Sequence, residues 1–438
     1  MRILIVTDEE WNDIVYGNNI LTNWFRGFNA EFAQIYCSPG MPLNNICQRY
    51  FRITDDQMVH SLFSAKRAGS IVMKPVDGLE VEQSKQNAQR QGIYGVMKKI
   101  SIYFHTPIMM MRDLIWRLGR YDINTLTFFV NDFRPDIVFC PRLITPKLMR
   151  LETIVSKITD APFVAFTADN EASLNHYSWS PLFWIRCCMI HQLFKKHVDL
   201  YNHYFMFSAE QAEIYEREYG LSTSCLYKCG SFPKIFNKKD VSNPIRMVYA
   251  GRLYCNRWKT LAAIGQALKF INSNGKKIYL DIYTQEELSL RQINVLNKDS
   301  YIYVHNQITP SQLEEEYINA DIALHVESFD KSSRNATRYS FSTKIVDLMA
   351  SSCAIMAICW EKQAGFRYLK EHDAAICIPS NDDILPSLRK LIDHPDLISY
   401  YAQKAWECGA NYHNTVVVQK QIKQTFDGII NQSNLTNK

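Results

Sequence analysis

The stretch from Tyr339 to Ile358, YSFSTKIVDLMASSCAIMAI, reads as a serine-capped helix that runs straight into a buried strand. Ser342 is placed as the N-cap and Thr343 as the first helical residue, so that Ile345, Leu348, Met349 and Ser352 share one inward face. A helix opened in this way leaves backbone N–H groups free beside Lys344, which suits an anion. Asp347 lies one turn on from Thr343 and off the apolar stripe, where its carboxylate is placed to meet the hydroxyls of a sugar carrying that anion. The plain alternative is a capped surface helix with Lys344 and Asp347 in solvent.

A second segment, IRMVYAGRLYCNRWKTLAAIGQALKFI from Ile245 to Ile271, sharpens the choice. It opens as a β-branched and aromatic strand from Ile245 to Tyr249, turns at Gly251, and enters a helix whose Leu261, Ile264, Ala267, Leu268 and Ile271 form a core face. Arg252 stands just past the strand and Lys259 at the predicted helix start. Two cations at the carboxyl end of one strand and a helix N-terminus at another are suited to converge on a diphosphate.

Together these segments resemble the nucleotide-sugar domain of GT-B glycosyltransferases, in particular the retaining family four. That family carries a strand ending in Gly-Arg-Leu, a Lys opening a helix, and later an acidic residue before Met-Ala-x-Gly-x-Pro-Val. Gly251, Arg252, Leu253 and Lys259 match the first part, and Asp347, Met349, Ala350 and Ile355 the second. Asp347 stands where the family has glutamate, Ser352 where it has glycine, and Ala354 where it has proline. The likeness runs from Ile245 to about Gly409, and the amino half follows only by pattern. It implies two Rossmann-like parallel-sheet domains facing across a cleft, with a C-terminal helix crossing back.

The resemblance also implies roles. Arg252 and Lys259 neutralise the departing diphosphate, while Gly251, Ser342, Thr343, Lys344 and Asp347 hold the donor. Asn306 and Ile308 line the loop past the base. Glu327, after the strand DIALHV, is the candidate carboxylate facing the donor sugar, because ligands collect at strand carboxyl ends. On the acceptor side stand Gly17 and Asn18, after the Asp8-Glu9-Glu10 cluster, and Asp169, where the family commonly has a His-Asp pair. The implied reaction is transfer of a sugar from a nucleoside-diphosphate sugar to a glycan or lipid-linked glycan, with retention, no metal and no further cofactor. A non-catalytic sugar-nucleotide-binding protein and another GT-B enzyme, such as a nucleotide-sugar epimerase or a phosphorylase, are the alternatives.

Absences narrow the class. No two glycines are separated by a single residue, so the dinucleotide fingerprint GxGxxG is missing, as is a Walker A loop. There is no Asp-x-Asp pair, which the other large glycosyltransferase fold uses to hold a divalent metal. A formal charge of +5 over 438 residues is too small an excess to argue for nucleic acid. The twelve cysteines include Cys140, Cys353, Cys359 and Cys377 inside apolar runs, which read as buried thiols in a reducing, cytoplasmic setting.

Alternating strands and helices in both halves predict two parallel sheets. The expected domains are 1–235 for the acceptor and 245–412 for the nucleotide sugar, joined by the Lys- and Asn-rich stretch Ser231 to Pro244. Residues 413–438 are expected to return to the first domain. MRILIVTDEEW reads as a first strand and no signal peptide. The region from Gly92 to Arg120 sets Lys98, Lys99, Arg112, Arg117 and Arg120 beside Met111, Leu114, Ile115 and Trp116. It reads as a core-packed helix pair with a basic edge, or as a peripheral contact with the anionic inner face of the plasma membrane.

Overall fold

The computed structural model describes residues 1–14, 20–73, 91–141, 143–168, 171–176, 178–237, 240–297 and 301–436. It divides into two compact units, Met1–Leu226 with Gln419–Lys438, and Tyr227–Val418.

The first unit is built on eight strands: β1 (Arg2–Thr7), β2 (Glu31–Tyr36), β3 (Arg49–Arg52), β4 (Ser70–Val72), β5 (Ile137–Pro141), β6 (Phe163–Thr167), β7 (Tyr201–Met206) and β8 (Thr223–Cys225). Their order across the sheet is β4-β3-β2-β1-β5-β6-β7-β8, parallel except where β4 meets β3. Ile3, Leu4, Ile5 and Val6 are all fully buried, as a strand covered on both faces requires. Ser208 lies beyond β7 and caps the helix Ala209–Tyr219 by accepting the Gln211 N–H at 3.3 Å.

Strands β3 and β4 extend the sheet where the residues show no strand periodicity. Both are too short for alternation to register, and Tyr50 and Phe51 are buried on opposite faces. The expected helix pair is one helix, Gln91–Leu118, which runs through Pro107. The last helix, Thr415–Thr436, joins this unit from Gln419 onward. Its Phe426 packs 5.5 Å from Phe139, and the Gln419 amide donates to the carbonyls of Trp24 and Arg26 at 2.8 and 2.9 Å.

In the second unit six parallel strands, β9 (Ile245–Ala250), β10 (Ile278–Tyr283), β11 (Ile302–His305), β12 (Ile322–Val326), β13 (Ala354–Ile358) and β14 (Ile376–Ile378), take the order β11-β10-β9-β12-β13-β14. The strands read from Ile245, from DIALHV and at the end of the Tyr339 stretch are β9, β12 and β13. The stretch 231–244 belongs to this unit. Phe236 and Val241 pack on its core, and Asp321 accepts the N–H groups of Ser242 and Arg246 at 2.9 and 2.7 Å. The change of unit therefore falls at Leu226, before the polar stretch that looked like the connector.

Both sheets grow outward from a central strand and then reverse, between β1 and β5 in the first unit and between β9 and β12 in the second. Such switch points leave a crevice at the strand carboxyl ends, where ligands bind in open α/β sheets.

Candidate functional site

The turn after β9 is pinned from both sides. The Tyr249 hydroxyl donates to the Arg252 carbonyl at 2.8 Å, and Glu286 accepts the Leu253 N–H at 2.9 Å. Arg252 itself is exposed at the strand end. Cys255 and Asn256 follow in left-handed conformations, at φ 53° and 60°, and the helix Arg257–Ile271 starts directly after them. A β-branched or bulky residue is excluded from such a pair of positions, and Asn256 is held there by a 2.8 Å bond from its amide to Asp330.

The residue that opens the helix is thus Arg257, not Lys259. Arg257 makes a two-bond fork to Glu327, Nε to Oε2 at 3.0 Å and Nη2 to Oε1 at 2.6 Å, with its guanidinium 4.4 Å from the Tyr254 ring centroid. Sequence reasoning missed Arg257; its signal was its place four residues after Leu253. Lys259 points instead to Asp330, 2.6 Å away in a half-exposed pair.

Glu327 is neither a solvated loop carboxylate nor a group open toward a sugar. It is 2% exposed, both oxygens serve Arg257, and its carbonyl accepts the Thr260 hydroxyl at 2.9 Å. A buried carboxylate needs such a partner, and a planar fork is the geometry that satisfies both oxygens at once. The pair consequently holds the Arg257 pKa well above its usual range, the Glu327 bonds outweighing burial.

Lys344 enters from the other side of the switch point. Its Nζ donates to the Ala250 carbonyl at 3.1 Å, and a β-carbon on Gly251 would collide with it. Burial and then the Arg257 charge push the Lys344 pKa down to about 8. Arg252 adds in the same direction, while Glu327 and Asp347 oppose it, so three cations, Arg252, Arg257 and Lys344, gather near two carboxylates that are already paired, Glu327 with Arg257 and Asp347 with Lys228. That excess of positive charge in a partly closed crevice is chemically suited to a diphosphate.

The helix predicted from Thr343 starts at Lys344 and runs only to Ala350. Thr343 occupies the N-cap in a helical conformation and forms no side-chain cap, so Ser342 does not cap it either. Ser342 contributes its carbonyl, which accepts the Ile345 N–H at 3.0 Å. Ser352 lies past the helix end at φ 61°, a left-handed position that explains why the resembled family has glycine there. Asp347 is bonded through both oxygens to Lys228, at 2.6 and 2.8 Å. Asn306 and Ile308 follow β11, Asn306 exposed and Ile308 half-buried. The neighbouring His305 stacks on Tyr283 at 4.7 Å and bonds Asp281 at 2.8 Å.

On the first unit, Gly17, Asn18 and Asp169 lie outside the described residues. At the carboxyl ends of β1 and β5 the structure places an ion pair that the sequence did not announce. Lys147, only 3% exposed, is bonded to Asp8 and lies 5.2 Å from the Trp116 ring. Burial, then Asp8 and Glu10, raise the Glu9 pKa there.

No family model matches the chain, and no curated protein matches it in sequence. Solved structures match along nearly the whole length. HepE of Anabaena in complex with UDP is 12% identical with a TM-score of 0.60, covering 98% of this chain and 100% of that one. Sucrose-phosphate synthase from Thermosynechococcus elongatus is 10% identical with a TM-score of 0.59, over 98% and 99% of the two chains. The UDP-forming α,α-trehalose-phosphate synthase from Burkholderia xenovorans, in complex with glucose-6-phosphate, is 9% identical with a TM-score of 0.57, over 98% and 100%. The fold of this chain is therefore the one these GT-B glycosyltransferases share, two parallel-sheet Rossmann-like domains.

Proposed function

We propose that the chain is a retaining glycosyltransferase of the family-four type, which moves a sugar from a nucleoside-diphosphate sugar to a glycan or lipid-linked glycan without a metal or other cofactor. The observation that carries this reading is the trio Arg252, Arg257 and Lys344 at the β9/β12 switch point. As the anomeric C–O bond breaks, negative charge grows on the leaving phosphate. Cations already fixed in place stabilise that charge without reorganising, at a few kcal/mol per donor. Gly251, Ser342 and Thr343 bring backbone close to the donor, and Asp347 holds its ribose. Asn306 and Ile308 border the base. Glu327 acts through Arg257, keeping the guanidinium oriented, and Lys259 lies at the edge through Asp330.

The acceptor hydroxyl is assigned to the first unit, with Gly17, Asn18 and Asp169 as the expected acceptor-side residues. Its proton passes to the leaving phosphate in same-face attack, so no side-chain base is assigned. Isothermal titration against a panel of nucleoside diphosphates, with and without chelator, tests the donor site. Equal affinity in both conditions is expected; absence of heat with every nucleotide, or binding lost in chelator, overturns the reading. The anomeric configuration of the transfer product, read by NMR, tests retention.

The reading extends to a cytoplasmic enzyme that contacts the anionic inner face of the plasma membrane. No helix among the described residues is long and apolar enough to cross a membrane. Met111, Leu114 and Leu118 are exposed on the helix Gln91–Leu118, and Leu182 and Ile185 on the helix Pro181–His197, which Arg186 ties to Asp113 at 2.8 Å. Lys195 and Lys196 supply positive charge at the end of that second helix. Flotation with anionic but not neutral vesicles, released as salt rises, is the expected result. Failure to float with either set overturns the membrane contact alone.

A further inference from the structure

Resting on the donor reading above, we propose that Arg334, with Trp360, forms an anion site one strand beyond the diphosphate cations, and that it takes a carboxylate carried by the transferred sugar.

The loops after β12 and β13 begin side by side, tied by the Glu327 N–H to the Ile358 carbonyl at 3.1 Å. The first loop continues into a short helix, Lys331–Thr337, and the second reaches Trp360 two residues past its strand. Arg334 sits between them. Its guanidinium carbon lies 5.6 Å from the Trp360 ring centroid and 5.9 Å from that of Phe329, so two aromatic rings hold the planar cation.

Neither polar group is satisfied. The Nε of Arg334 and the Nε1 of Trp360 are both closed to solvent and meet no hydrogen-bond acceptor among the described residues. The carboxylate nearest in sequence, Asp330, already accepts Lys259 at 2.6 Å and Asn256 at 2.8 Å. Leaving a half-buried cation without an acceptor is costly, and an arginine held by rings but paired with no anion among the described residues is arranged for an anion that arrives.

The place of the site indicates the ligand group. Arg334 and Trp360 stand on the two segments that leave the strand ends tied together at Glu327, whose partner Arg257 belongs to the cations assigned to the diphosphate. A group reaching them while the diphosphate is seated there belongs to the sugar beyond it. A guanidinium is matched in geometry to a carboxylate, and a neutral hexose offers only hydroxyls in its place.

The test uses the nucleoside diphosphate selected by the titration above, offered as its hexose and as its hexuronate conjugate, to the full chain and to Arg334→Met and Arg334→Lys. The full chain is expected to bind the uronate about tenfold more tightly than the hexose, the scale of one hydrogen bond to a charged group. Arg334→Met removes that preference and leaves hexose affinity unchanged, and Arg334→Lys keeps part of the preference. Equal affinity of the full chain for both conjugates, or a preference that survives in Arg334→Met, overturns the site. A full chain that binds neither conjugate nor the free nucleoside diphosphate overturns the donor reading instead.

Discussion

Lys344 occupies the space that a side chain on residue 251 would need. Gly251, at φ 155°, turns the chain out of β9 while its N–H still donates to the Tyr283 carbonyl at 2.9 Å, and the lysine amine reaches the Ala250 carbonyl through the gap. A glycine here therefore seats a cation as well as a turn.

Gly251→Ala should displace the lysine, because the atom it strikes is the end of a flexible side chain, and should also strain the backbone, since φ 155° is a conformation that L side chains rarely adopt. Its effect on diphosphate affinity should equal that of Lys344→Ala, and the double variant should be no weaker than either single one. Additive losses in titration would show that the two residues act separately.

Arg252→Ala should weaken diphosphate binding by about 1.5–3 kcal/mol, the scale for hydrogen bonds to charged groups, with native circular dichroism. Lys259→Ala removes a half-exposed ion pair with Asp330 and should cost under about 1 kcal/mol in the same titration. Equal losses would mean that Lys259 reaches the phosphate.

Affinity for the diphosphate should fall as pH rises through the depressed pKa of Lys344, about 8. The sign follows from proton linkage. A bound anion favours the charged amine and raises its pKa, so binding takes up a proton above pH 8 and none below it. Affinity should be level between pH 6.5 and 7.5 and then fall by up to about tenfold per pH unit, a slope that Lys344→Met abolishes. A flat profile in the parent would place the lysine outside the site.

Glu327→Ala should be the most destabilising of these changes. It leaves the Arg257 guanidinium, 11% exposed, without its partner, and breaking a buried pair from one side costs about 3–5 kcal/mol. Denaturant unfolding checks this. A loss below about 1 kcal/mol would return Glu327 to a role independent of Arg257.

What the sequence determined by itself is the pair of parallel sheets and the strand end at which the proposed donor cations stand. The central strands β12 and β13 are buried along their whole length, as strands covered on both faces are, and a turn glycine followed by Arg252 marks the carboxyl end of β9. The capping box of Thr309 and Gln312 is a local feature, since both its bonds lie within one turn. Strands β3, β4 and β8 were not legible, being too short for their period to register. The pairings that define the site were decided only by tertiary structure. Arg257 and Glu327 are 70 residues apart and Lys228 and Asp347 are 119 apart. Local pattern reports which face of an element is apolar. It carries no record of which charge a distant strand end will bring beside it, so Arg257 went unread and Glu327 was expected to face a sugar instead of a guanidinium.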